Sequence, residues 1–299
     1  MTSKPICLFH PCTRILRTLV ISLISLFILT HTVNAAPITI YYPRSTAQID
    51  PHYDYLLELL KASLLPFPGK YRLIPTDAAL PQTRSINEAA AAHGEVDLLW
   101  AMTTDERENS LLPIRIPIDK GLIGWRIALV RHEKQQIFSQ VRSLKDLAPF
   151  VAGQVHDWPD TDILRANGLN VEASSTYEAL FKMLDAGRFD YFPRAVFEIW
   201  RELDAHPELA IEAEPGIVIH YPTAYYFFVS PRQPAFAADL RKGLELLLSN
   251  GHFEKIFQKY YREALQKSRL RQRIVIELRN PLLQQNKLTD NHPEMLYKP

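Results

Sequence analysis

Four arginines stand at or just beyond the ends of predicted strands. A guanidinium is always charged and carries its donors in a fixed fork, which suits a carboxylate or a phosphate. Arg44 closes Tyr41-Tyr42-Pro43-Arg44, Arg84 falls in the first helical turn after Pro81, and Arg107 and Arg194 end two copies of one local pattern. The first copy is Gly94-Glu95-Val96-Asp97-Leu98-Leu99-Trp100, running on to Thr104-Asp105-Glu106-Arg107; the second is Gly187-Arg188-Phe189-Asp190-Tyr191-Phe192-Pro193-Arg194. In each, a helix closes on a glycine expected to supply a left-handed cap, and an apolar strand follows that suits burial in a parallel sheet. Ligands of open α/β sheets collect beyond the carboxyl ends of the strands, so each copy aims an arginine at one site. Tyr42, Trp100 and Trp158 are expected as apolar walls, and Thr161, opening a helix, as a source of backbone N–H groups. Together these residues predict a cleft for a small anion. Asp97 and Asp190, each inside an apolar strand, are expected to bond backbone groups at the strand's start.

Other chemistry finds little support. The ten histidines are scattered without His-x-x-x-His or His-Glu-x-x-His spacing, and Gly-x-Ser-x-Gly and glycine-rich phosphate loops are absent. The only cysteines are Cys7 and Cys12. No metal, cofactor or catalytic group is therefore expected.

Residues 1–35 read as an export signal: Lys4, Arg14 and Arg17 precede an apolar run from Thr18 to Leu29, and Val33-Asn34-Ala35 offers small residues for cleavage near Ala35. That run is shorter than the about 20 residues a membrane-spanning helix needs. Cleavage would place the protein in the periplasm and remove both cysteines. It would also remove three basic residues and no acidic one, taking the formal charge from +1 to −2. No basic excess remains for nucleic acid.

The elements that must position the arginines alternate strand and helix, the signature of α/β architecture. Strands are expected at Ile38–Tyr42, Tyr71–Ile74, Val96–Ala101, Phe150–Val155, near Val171, at Phe189–Phe192 and at Tyr225–Val229. Helices are expected at Gln82–His93, from about Thr161, at Tyr177–Ala186, and through Val196, Ile199, Trp200 and Leu203. Two further apolar helical faces follow Val229 with no strand between them. The simplest assembly returns that section to the first lobe. Lobe one is then 36–120 plus 222–261, lobe two 123–220, and hinge crossovers fall near Pro117–Trp125 and Tyr221–Tyr226. Residues 262–299 form a C-terminal extension with a strand-like Ile274–Leu278 that packs on the outside.

From about Ile38 to Tyr261 the chain resembles the bacterial extracellular solute-binding proteins of the amino-acid-binding type. The resemblance rests on Thr104-Asp105-Glu106-Arg107, Ser143-Leu144-Lys145-Asp146-Leu147, Ala186-Gly187-Arg188-Phe189-Asp190 and the run from Gly251 to Tyr261. It implies two lobes, each a mainly parallel sheet flanked by helices, joined by two extended crossovers. It also implies that Arg107 clamps a ligand carboxylate. The acidic residue that meets the ligand's ammonium in such proteins is replaced here by Ala195, and Trp100 and Met102 stand where small or hydroxyl residues are expected. An anion is therefore favoured over a standard amino acid. The implied role is capture of that ligand by a monomer, for a membrane permease of an ABC-type transporter. The alternatives are a stand-alone module acting with a membrane sensor, and an exported dehydratase-like enzyme with Asp157, Asp160 and Glu198 as its acids.

Overall fold

The computed structural model describes residues 1–2, 36–45, 51–283, 288–289 and 292–299. The export signal expected over 1–35 lies, from Ser3 to Ala35, outside the described residues. Among the described residues no helix is long and apolar enough to cross a membrane.

Lobe one opens with β1 (Ile38–Tyr42), α1 (Pro51–Leu64) and β2 (Tyr71–Pro75). β1 and β2 pair in parallel from Ile38↔Tyr71 to Tyr42↔Pro75. After α2 (Gln82–Ala90), β3 (Leu98–Met102) leads through α3 (Asp105–Ser110) to β4 (Leu112–Ile114). Both β3 and β4 pair antiparallel with β11 (Tyr225–Val229), a strand that returns from far along the chain. All five residues of β11 are buried, as its unbroken run Tyr-Tyr-Phe-Phe-Val requires. α8 (Pro234–Ser249) and α9 (His252–Ser268) pack on α1, whose Tyr55, Leu56, Leu59 and Leu60 are fully buried.

Lobe two contains β5 (Trp125–Arg131), α4 (Leu144–Leu147), β6 (Val151–Val155), α5 (Pro159–Ala166), β7 (Asn170–Ser174), α6 (Tyr177–Asp185), β8 (Tyr191–Ala195), α7 (Ile199–Ala205), β9 (Ile211–Ala213) and β10 (Ile217–His220). Its sheet runs β12-β10-β5-β8-β6-β7, with β9 also on β5 and with β12 (Ile274–Glu277) at one edge. The β6 pairings with β7 and β8 and the β10–β12 pairing are parallel, whereas β5 runs antiparallel to β8, β9 and β10. Lobe one thus holds a parallel pair, β1–β2, and a separate antiparallel sheet, β3-β11-β4, whereas the lobe-two sheet is mixed.

The repeated sequence pattern corresponds to a repeated backbone device. Asp97 donates its N–H to Tyr41 O at 2.8 Å and accepts from Tyr41 N–H on Oδ2 at 3.0 Å. Asp190 does the same to Val151, at 2.9 and 2.8 Å. Asp97 stitches the start of β3 to β1 and Asp190 the start of β8 to β6, satisfying backbone groups where each ladder begins. The two glycines differ. Gly187 has φ +69° and closes α6, with its own N–H on Leu184 O and that of Arg188 on Met183 O, the paired bonds of a left-handed helix cap. Gly94 is instead required by proximity, since a Cβ there would lie 1.7 Å from the Glu88 carbonyl oxygen.

Two expectations for elements are corrected. The strand read as Phe189–Phe192 runs from Tyr191 to Ala195, so Pro193 and Arg194 lie within it. Val196 N–H bonds Trp125 O on β5, and by alternation the Pro193 nitrogen faces β6. There β6 pairs with β8 at Tyr191 alone, so the ladder loses no donor. The helix expected from about Thr161 begins at Pro159, a residue suited to the first helical position.

Candidate functional site

The lobes meet across a cleft in which Thr83 Oγ1 donates to Asp157 Oδ2 at 2.7 Å and the His52 ring stacks on Phe197 with centroids 4.6 Å apart. A cavity of about 110 Å³ lies in this cleft. Gln82, Met102 and Tyr225 line it from lobe one, Ile123 from the crossover, and Arg126, Trp158, Asp160, Arg194 and Glu198 from lobe two.

Arg194 is buried near the end of β8, and its partners are carboxylates. Its Nε lies 2.9 Å from both oxygens of Glu202, and its Nη2 lies 2.7 Å from Glu202 Oε1 and 2.9 Å from Glu198 Oε2. The guanidinium faces the Phe192, Trp158 and Tyr177 rings at 4.8, 5.0 and 5.3 Å. Its Nη1 is buried and has no hydrogen-bond partner among the described residues. Arg126, on β5, donates through Nε to Tyr221 Oη at 2.8 Å and pairs through Nη2 with Asp160 Oδ1 at 2.7 Å and through Nη1 with Glu198 Oε2 at 3.4 Å. Tyr221 Oη donates in turn to Asp160. Burial opposes both cations. Even so, Glu198 and Glu202 hold Arg194 well above its ordinary pKa, and Asp160 does so for Arg126. Burial likewise raises Glu198, but Arg194 and Arg126 outweigh it and keep its pKa below the usual carboxylate value.

Arg107 sits differently. Thr104 caps α3 and accepts the Arg107 N–H on Oγ1 at 3.2 Å, which turns the side chain inward. The buried guanidinium donates to Met102 O at 2.6 Å and Gln82 Oε1 at 3.1 Å, both neutral acceptors on residues that line the cavity. Burial pulls its pKa down. Arg107 therefore stands one residue behind the cavity wall. It faces a second depression of about 310 Å³, shared with Asp157, Asp162, Pro281 and Leu282.

The structure disperses the remaining expected residues. Trp100 is partly buried in an aromatic group with Tyr53 at 5.4 Å, Tyr42 at 6.1 Å and Phe227 at 6.3 Å, and it lines a lobe-one depression that also contains Arg44 and Tyr225. Tyr42 is a core residue rather than a wall. Arg44 is held through Nε to Thr76 O at 2.8 Å. Arg84 lies apart from the cavity: its side chain is 65% exposed and its partner is Glu88 on the next helical turn, at 3.9 Å. Thr161 also stands apart from the cavity lining. It is fully buried, with its N–H on Trp158 O at 3.0 Å and its hydroxyl on Val155 O at 2.7 Å, because Pro159 sets the helix start two residues earlier. Trp158 and Arg194 do line the cavity. Sequence reasoning missed Arg126; its signal was a lone charge inside the apolar strand Trp125–Val130, which a buried position tolerates only with a partner.

With the geometry in hand, the class of fold follows. The chain has the two-lobed α/β fold of the periplasmic binding proteins. No protein-family model and no curated protein sequence matches it. Solved structures do match in fold. They include an ancestral arginine-binding protein bound to arginine (TM-score 0.54, 16% identity, covering 76% of this chain and 98% of that one). A second concerns glutathione import via GshT and the cystine ABC importer TcyBC of Streptococcus mutans (TM-score 0.56, 16% identity, 75% and 95% covered). A third is a histidine kinase sensor domain with similarity to periplasmic binding proteins (TM-score 0.55, 16% identity, 75% and 95% covered). About a quarter of the present chain lies outside each match.

Proposed function

We propose that the protein is an exported solute-binding protein, cleaved near Ala35, that captures a small ligand in the cleft between its lobes and presents the closed form to a membrane permease. The observation that carries this reading is Arg194, a residue of the cavity wall whose buried Nη1 has no protein partner. A buried donor left unbonded costs roughly 1–3 kcal/mol, and a ligand oxygen placed there recovers it. The ligand is one with a single carboxylate or comparable anionic group, because every other donor of Arg194 already faces carboxylates and Arg126 is held by Asp160, Glu198 and the Tyr221 hydroxyl. Arg107 joins the site by exchanging Gln82 Oε1 for the ligand. A permease partner is supported by the likeness to a protein of glutathione import, and a sensor partner by the likeness to a kinase sensor domain.

Calorimetry and thermal shift on the full chain test the reading with benzoate, succinate, inorganic phosphate, L-glutamate and L-arginine as probes. A probe at a hundred times its Kd adds about 2.7 kcal/mol of stability. Stabilisation by one of the anions is expected. Stabilisation by L-arginine alone, or by none of the five, rejects the anionic ligand.

A further inference from the structure

The chain beyond β12 touches both lobes in quick succession. β12 extends the lobe-two sheet from Ile217↔Ile274 to His220↔Glu277, and Leu278 N–H continues the pairing onto His220 O at 2.7 Å. The next residue is clamped by a side-chain amide: Asn167, just past α5 in lobe two, donates Nδ2 to Arg279 O at 2.7 Å and accepts Arg279 N–H at 2.9 Å. Asn280 Nδ2 then donates to Pro222 O in the second crossover at 3.0 Å. Leu282 O accepts the N–H of Asp105 at 2.9 Å, and that N–H is one of the donors the first turn of α3 cannot satisfy internally. Asp105 belongs to lobe one and to the helix that carries Arg107. Farther on, Tyr226 of β11 donates to Leu288 O, and Tyr297 N–H bonds Lys120 O in the first crossover at 2.7 Å.

We infer that the segment from Leu278 to Leu282 is a strap across the cleft, a connection between the lobes beyond the chain crossovers that limits how far they part and ties the helix of Arg107 to lobe two. Only Asn280 and Pro281 lie between the anchors at Arg279 and Leu282, so three chain steps join them, and a fully extended chain covers roughly 3.3–3.6 Å per step. With both anchors made, this edge of the cleft opens to about 10 Å at most. Wider opening requires release of the Asn167 clamp or of the Asp105–Leu282 bond. The strap therefore biases the lobes toward contact before any ligand binds, which lowers the conformational cost of closure and slows ligand entry.

The test needs no ligand and so is independent of the binding reading. Small-angle scattering and amide hydrogen exchange are compared for the full chain, a chain ending at Leu278 that keeps β12, and full-length Asn167→Ala. Cooperative thermal melting confirms that each is folded. In both altered chains the Asp105 amide should exchange about fivefold faster or more, the factor expected from one net hydrogen bond, and the radius of gyration should increase. If the truncated chain does not fold, Asn167→Ala alone decides. Unchanged Asp105 exchange and an unchanged radius of gyration in a folded variant overturn the strap.

Discussion

Arg194 and Glu202 form a buried fork in which Nε lies 2.9 Å from each carboxylate oxygen while Nη1 of the same guanidinium has no protein partner. The pair holds the arginine in place and leaves Nη1 of this cavity-lining residue unbonded. Breaking a buried pair by removing one partner costs about 3–5 kcal/mol, since the other charge is left uncompensated. Glu198 still holds Arg194 at 2.9 Å, so Glu202→Ala is expected at the lower end, about 3 kcal/mol by urea denaturation at pH 7. The double variant Arg194→Met, Glu202→Leu should recover most of that loss. A loss below about 0.5 kcal/mol in Glu202→Ala, the scale of ordinary surface changes, would contradict a structural fork.

Arg107 and Arg84 separate a site residue from a solvated one. Arg107→Ala leaves Met102 O and Gln82 Oε1 without their donor and should cost about 1–3 kcal/mol of stability. It should also weaken binding of whichever anion the calorimetric screen identifies by roughly 2 kcal/mol or more. Arg84→Ala, whose partner is a distant surface glutamate, should change stability by no more than about 0.5 kcal/mol and leave that affinity alone. Equal binding losses in the two variants would remove Arg107 from the site.

Much of the framework was legible because it depends on local rules. β1 and β11 fall where their apolar runs lie, and the two aspartates after the repeated glycines bond the backbone as an acid inside an apolar strand must. What was not legible depends on distant partners. Arg126 finds Asp160 and Tyr221 far along the chain, and nothing local to Trp125–Arg131 names them. Arg194 was expected to face a ligand, yet Glu198 and Glu202, which lie beyond the end of β8 in sequence, neutralise most of it. Thr161 was misjudged because Pro159 moved the helix start and turned its hydroxyl inward. The tail's Ile274–Leu278 showed its strand character, but its pairing with β10 and its passage to Asp105 depend on partners far away in sequence.

The paired aspartates offer an internal comparison. Asp190→Ala removes one acceptor from Val151 N–H and should cost about 1–2 kcal/mol. Asp97→Ala should cost more, because Asp97 Oδ1 also faces Arg232 Nη2 at 3.4 Å and Gln233 Nε2 at 3.3 Å. Chemical denaturation of the two variants side by side checks the order; a larger loss for Asp190→Ala would show that the contacts from Arg232 and Gln233 add nothing.

Asp119, in the first crossover, gives the hinge a pH dependence. It is fully buried, and its carboxylate accepts Gly121 N–H at 2.9 Å and Ile123 N–H at 2.7 Å. Burial outweighs those bonds and pushes its pKa up from 3.8 to about 7. Between those values the folded protein holds a proton the unfolded chain has released, so stability falls as pH rises from about 4 to about 7 and levels off above. Three pKa units correspond to at most roughly 4 kcal/mol. Glu198 acts in the opposite sense and in a different window: its lowered pKa adds stability present above the unfolded value of 4.5 and lost as pH falls through its folded value. Urea midpoints between pH 4 and pH 8 should therefore decline toward neutrality in the natural chain, and Asp119→Asn, which cannot ionise, should flatten the decline while losing one backbone acceptor. A decline of unchanged slope in Asp119→Asn would assign the pH dependence to other groups, of which Glu214, also raised by burial, is the first to test.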